Sequence, residues 1–243
     1  MSVTAVLHSE WIKIRSVRAS FGSLLAVFAA ALAVTVLVFA TVGRAEAGGD
    51  DPVFGAFYAL NFAQIAAVAF GATAVSAEYV GGALRISLSA VPRRGLFYAA
   101  KTAIVGAAAL GVGLVTAFAA FFVGQAFPGE HAIGLGEPGA LRACVGGGIY
   151  LALMALFATG LSFLLRSAVA VLSLLVPFLL IVSFVVGDIA GGAAAYLPDR
   201  AGQQILHQDP AGGPGPWTGL AVTALWAAAA LAAGWWAVRR RDA

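Results

Sequence analysis

Charged residues cut this chain into long uncharged runs. A helix crossing a hydrocarbon core of ~30 Å needs roughly 20 apolar residues. Six runs between successive charges reach that length: 19–43, 52–77, 102–129, 143–165, 167–187 and 210–238. Trimming their Gly- and Pro-rich ends predicts membrane helices near 21–42, 54–77, 101–127, 143–165, 168–186 and 217–238. A transmembrane barrel would show short alternating segments, not continuous apolar runs. The expected fold is therefore an all-α membrane protein with six transmembrane helices in a single domain, 1–243. The first run is longer than a signal-peptide core of about 7–15 residues, so Ala45-Glu46-Ala47 does not read as a cleavage site.

The segments between the runs carry their own patterns. In 2–18, Val3, Leu7, Trp11, Ile14 and Val17 recur at spacings of three and four, while Thr4, His8, Arg15 and Arg18 take other faces. That periodicity predicts an amphipathic helix lying in the headgroup plane; the alternative is a leader whose bases only set topology. The segment 78–100 is bounded by Glu78 and broken at Gly81-Gly82 and Pro92, with room for a short helix over Ala83–Ala90. It is longer than a plain connection requires, and so is expected to touch a partner. At the opposite side, 128–140 reads as a Pro/Gly loop. The loop 187–216 mixes Asp188, Tyr196, Leu197, Pro198, Ile205 and Leu206 with glycines, which predicts that part of it is re-entrant. Irregular backbone at that depth needs burial in protein or access to water.

Composition narrows the class. The chain is 61% hydrophobic and 10% charged, with mean hydropathy +0.95, whereas a soluble domain carries about 25% charged residues. The six runs sort the bases into two sets. Lys13, Arg15, Arg18, Arg85, Arg93, Arg94, Lys101, Arg166, Arg239, Arg240 and Arg241 fall on one side, and Arg44, Arg142 and Arg200 on the other. The positive-inside rule then places both termini in the cytoplasm of a plasma-membrane protein. The net charge of +3 sums two opposed faces and does not mark a nucleic-acid binder. The single cysteine, Cys144, permits no internal disulfide and argues against a cysteine metal cluster.

Candidate chemistry is sparse. Gly95–Thr102 lacks the second glycine of a P-loop, and Gly134–Gly139 follows no strand. No acid falls inside a predicted span, and His8, His131 and His207 lie in flanking segments. The expectation is no catalytic site, no cofactor or metal bound by this chain, and no ion relay at membrane depth. Energy for any transport would then enter through an interface. Asn61 and Gln64 share one helix face, as helix–helix glue or as a polar path, and Pro177 should kink the fifth span.

Two stretches resemble the permease subunit of type-2 ABC transporters. Ser9-Glu10-Trp11-Ile12-Lys13-Ile14-Arg15-Ser16-Val17-Arg18 is similar to the family's E-x-x-K-x-R-S-x-R start. Glu78-Tyr79-Val80-Gly81-Gly82-Ala83-Leu84-Arg85, continuing to Pro92-Arg93-Arg94 and Lys101, resembles its EY-x-x-G-T-x-R…P-x-R…K signature, with Gly82 in place of the usual Thr. The resemblance implies an N-terminal connecting (elbow) helix carrying Glu10, Trp11, Lys13, Arg15 and Arg18. It also implies a coupling helix between the second and third spans, with Glu78, Tyr79, Gly81, Gly82, Arg85, Pro92, Arg93 and Arg94 at the ATPase contact. It further implies a second permease copy or paralogue and a dimeric ABC ATP-binding subunit that holds ATP and Mg. Lipid surrounds the spans, whose apolar lining suits amphipathic cargo. A non-transporting scaffold, immunity or sensing protein and a stand-alone carrier are the alternatives left open by the residues.

Overall fold

The computed structural model describes residues 2–41, 51–127, 132–183, 185, 191–209 and 213–240. Arg44 to Ala47, His131, Asp188 and Arg241, named above, lie outside the described residues. The described chain is helical without a strand: α1 Val3–Ser16, α2 Arg18–Thr41, α3 Pro52–Phe57, α4 Leu60–Ser76, α5 Ala83–Ala90, α6 Arg94–Gln125, α7 Ala140–Leu165, α8 Ala168–Pro177, α9 Pro198–Gln203 and α10 Pro216–Arg240. Among the described residues, five stretches are long and apolar enough to cross a membrane: Arg18–Thr41, Val53–Tyr79, Arg94–Gln125, Ala140–Leu165 and Pro216–Arg240. This is the architecture of a multi-pass membrane protein.

Local chemistry sets the helix ends. The Ser2 hydroxyl accepts from Ala5 N at 3.3 Å to start α1, and the Asp51 carboxylate accepts from Phe54 N at 2.9 Å to start α3. These are N-caps that satisfy otherwise orphaned donors. The α7 helix stops at Arg166, which takes a left-handed φ of 57° while its N–H closes on Ser162 O at 2.8 Å. Central position falls to α7, which packs against α4, α6 and α10. Small residues make this approach feasible: a Cβ on Gly71 would collide with the Ala155 carbonyl, and one on Gly160 with the Ala230 backbone.

Three expectations need adjusting. The second span divides into α3 and α4 at a Tyr58-Ala59 turn. The third helix begins at Arg94, so the last residues of the expected 78–100 loop are already helix. The fifth span, expected at 168–186, is an apolar helical stretch over Ala168–Ile181, shorter than a span. Its α-helical part ends at Pro177, followed by a π turn over Phe178–Val182; proline removes a backbone donor and its ring clashes with the preceding turn. The α1 helix buries Val6, Glu10 and Ile14 while Val3 and Trp11 stay exposed, so its apolar set Val3, Leu7, Trp11, Ile14 and Val17 is divided between protein and surface.

The bundle has two ends. At one, Arg94 donates to Val238 O at 2.9 Å and the Arg166 guanidinium stands 5.4 Å from the Tyr79 ring. At the far end, Arg142 donates to the carbonyls of His207 and Gln208, at 2.5 and 2.9 Å.

Candidate functional site

Beyond α4, Glu78 and Tyr79 form a single 3₁₀ turn and the chain reverses through Gly81 and Gly82. Their φ values are 62° and 78°, and a Cβ at either would meet open space. The left-handed backbone, not crowding, is what calls for glycine here. The short α5 that follows turns Leu84 inward, with Ser87 and Leu88 half-buried, and leaves Arg85, Ile86 and Ser89 exposed. Val80 is 72% and Ile86 70% exposed at the tip.

Behind this face lies a cluster of four charges. Lys101, 1% exposed in the second turn of α6, pairs with Glu78 at 2.6 Å and also with Glu10 of α1. Lys13 of α1 reaches Glu10 at 2.8 Å, Glu78 at 3.0 Å and Ser87 Oγ at 2.9 Å. The Ser87 hydroxyl donates to Glu78 at 2.8 Å. Two carboxylates and two ammoniums therefore tie α1, the end of α4, α5 and α6 into one unit. Desolvating such charges costs several kcal/mol per ion, which only good mutual geometry offsets. Burial works against the Lys13 ammonium, but Glu10 and then Glu78 outweigh it and hold its pKa above the usual lysine value. A cleft of ≈ 250 Å³, lined by Ile14, Val17, Ala83 and Ile86 among others, opens beside the cluster.

The cluster gathers Glu10, Lys13 and Glu78 from the expected residues. Tyr79 lies under Arg166 and Arg94 holds the end of α10. Trp11, Arg15, Arg18, Arg85, Pro92 and Arg93 are exposed on the same end. Lys101 and Ser87 were missed as site residues. The available signal was that Lys101 closes a segment opened by Glu78, with an i, i+3 Glu10–Lys13 pair upstream in need of partners.

The polar residues within the spans go elsewhere. Asn61 donates to Tyr58 O at 3.0 Å, within its own turn. Gln64 is buried; it donates to Asn61 O at 2.9 Å and accepts from the Tyr150 hydroxyl of α7. Gln203 of α9 reaches that hydroxyl at 3.4 Å. Pro177 marks the break between α8 and the π turn and is not part of this network. Sequence reasoning also missed Asp199 of α9, which is 3% exposed. It arrives from the loop 187–216, so a search for acids within apolar runs passes over it. At the far surface, His207 stacks on Phe54 with ring centres 4.1 Å apart, and its Nδ1 stands 3.1 Å from Asp51.

No protein-family model, curated protein or solved structure matches the chain.

Proposed function

We propose that this chain is the transmembrane subunit of an ABC exporter. In this reading it forms the substrate path with a second copy or a paralogue, and is driven by ATP hydrolysis in a separate dimeric ATP-binding subunit. Both termini face the cytoplasm of the plasma membrane, α1 is the connecting helix and α5 the coupling helix. The observation that carries the proposal is the mounting of α5: a short helix after a two-glycine turn, exposed at Val80, Arg85 and Ile86, and joined through Ser87 to Lys13 and Glu78, whose ion pairs tie the preceding turn to α1 and α6. A partner that moves α5 moves the elbow and the third span with it. Work is then done because the partner's nucleotide-bound state prefers one arrangement of this unit over the other.

Support for a sixth crossing comes from the two ends of the segment after α7. Arg166 stands beside Tyr79, while Ser183 O accepts from Arg200 of α9 at 2.9 Å. A chain leading from the α5 end to the α9 segment between those points traverses much of the bundle. The 11-to-3 distribution of bases favours the α5 end as cytoplasmic.

One observation favours a second reading, a proton-driven carrier: Asp199 is a buried carboxyl in a chain expected to have none at depth. The two readings separate on whether an ATPase is required. In proteoliposomes holding the full complex, Arg85→Ala and Ile86→Asp should lower transport per ATP hydrolysed while insertion is unchanged. Undiminished coupling in both variants would remove α5 from the mechanism.

A further inference from the structure

At the far end, one ionisable side chain is buried without a full set of partners. Asp199 is 3% exposed, and its Oδ1 has no hydrogen-bond partner among the described residues. Its helix sits deep in the bundle, because a Cβ on Gly202 would collide with the ring of Tyr150. Tyr150 is ten residues into α7, about 15 Å from that helix's start at 1.5 Å per residue. The segment 191–206 is held there mainly by contacts to α10. The Thr223 hydroxyl donates to Pro198 O at 2.7 Å, Trp226 Nε1 donates to Tyr196 O at 3.0 Å, and Gly219 leaves room for the Ala201 carbonyl.

Among the described residues, the groups facing Asp199 supply no matching charge in contact. From α7 comes Tyr150, fully buried, its hydroxyl already donating to Gln64. From α10 comes Thr223, committed to Pro198, and from the stretch after α8 comes Ser183. Arg200 follows Asp199 in the chain and directs its Nε to Ser183 O. A carboxylate in such a place is far costlier than a carboxylic acid.

We propose that Asp199 is a proton-binding site of the segment 191–206, protonated when the segment packs against α7 and α10 and ionised when it lifts into water. The step is carboxylate plus a proton from water giving a carboxylic acid, with no other group bound or released. Burial pushes the carboxyl above the ordinary aspartate value; the nearby Ser183 hydroxyl, the Asp199 and Arg200 amides and the Arg200 charge pull the other way without cancelling it. The packed form then holds the proton more tightly than the lifted form, so acid stabilises packing. Between the lifted-state pKa and the raised packed-state pKa, each pH unit weakens packing toward the single-proton limit of about tenfold, and above both the dependence ends. The site operates under either energy source considered above.

The test is hydrogen exchange of backbone amides in 198–206, in the full-length protein in lipid nanodiscs, corrected for the intrinsic pH dependence of exchange. Wild-type protection should fall severalfold from acid to mildly alkaline pH, and Asp199→Asn should abolish that slope and stay protected throughout. The His207–Asp51 pair borders the same segment, so His207→Gln is the second arm and should leave the slope in place. A flat wild-type profile, a slope retained in Asp199→Asn, or a slope lost in His207→Gln alone would overturn the proposal. If Asp199→Asn fails to assemble, infrared spectra of wild type with isotope-labelled aspartate carboxyls decide. A protonated band persisting well above the ordinary aspartate value of about 3.9 supports the site, and loss of every such band near that value overturns it.

Discussion

At one end of the bundle, Glu10, Glu78, Lys13 and Lys101 pair with one another within 3.3 Å, whereas at the other Asp199 is buried with no ion pair and with Oδ1 unpartnered among the described residues. Both sites remove carboxylates from water, and they settle the cost differently. The cluster supplies as many ammoniums as carboxylates, so it suits a rigid joint that carries force between helices. The lone acid meets no such partner and lowers its cost by taking a proton, so it suits a group that responds to its surroundings. The number of charges matters less than whether they close on themselves.

The sharpest way to break this contrast is to open the cluster. Lys101→Met leaves Glu10 and Glu78 sharing Lys13 alone and should cost about 3–5 kcal/mol, read as a large fall in thermal stability and in yield of folded protein. Adding Glu10→Gln to that variant should recover part of the loss, because one uncompensated carboxylate disappears. No recovery would mean that the four charges do not act as a unit. The same logic makes Glu78→Ala a blunt probe of coupling, since it leaves two ammoniums sharing Glu10, and makes the exposed Arg85 and Ile86 the better probes.

A smaller effect is expected at the far network. Gln64→Leu strands the Tyr150 hydroxyl inside the bundle and should cost about 1–3 kcal/mol, with Tyr150→Phe in the same background restoring most of it. Thermal melts of the two variants and the pair give the coupling directly.

The mount of α5 comes next. Gly82→Val forces a β-branched residue to a φ of 78°, at roughly 1–2 kcal/mol, and should raise hydrogen exchange in α5 with little change in α7. Gly82→Ala should show the same direction with a smaller size.

The smallest expected effect is on pH dependence. Lys13 has a raised pKa, so its stabilisation is fully present below the unfolded value of about 10.4 and is lost as pH rises through the folded value above it. Alkaline titration of stability should therefore be shallower in Lys13→Met than in wild type. The change is modest because the Lys13 side chain remains 35% exposed.

The long helices were legible because apolar length is a local property that survives any packing. The gap from Ser167 to Gly187 was equally apolar, yet Pro177 divides it, and only the fold reveals a π turn rather than a simple kink. On α1, periodicity grouped Val3 with Trp11, which do form one face, but which face meets protein was decided by Glu10 and Lys13 finding Lys101 and Glu78 far along the chain. Asn61 and Gln64 looked equivalent at three residues apart. Tyr150 distinguishes them, by taking Gln64 into the bundle while Asn61 bonds its own turn. Asp199 was hidden for a related reason, since its depth comes from the close approach of α9 at its own Gly202 and against Gly219 of α10 rather than from a hydrophobic run.

The central claim is that energy enters this chain from an ATP-binding partner seated on α5. The direct measurement is affinity purification of the full-length protein from its native membranes in mild detergent, alongside Ile86→Asp, with bound proteins identified by mass spectrometry and ATPase activity assayed. The account predicts that a soluble ATP-binding protein accompanies the wild type in near-stoichiometric amount and is lost or sharply reduced with Ile86→Asp. A wild-type protein that is purified intact, moves substrate in proteoliposomes and carries no ATPase would contradict it.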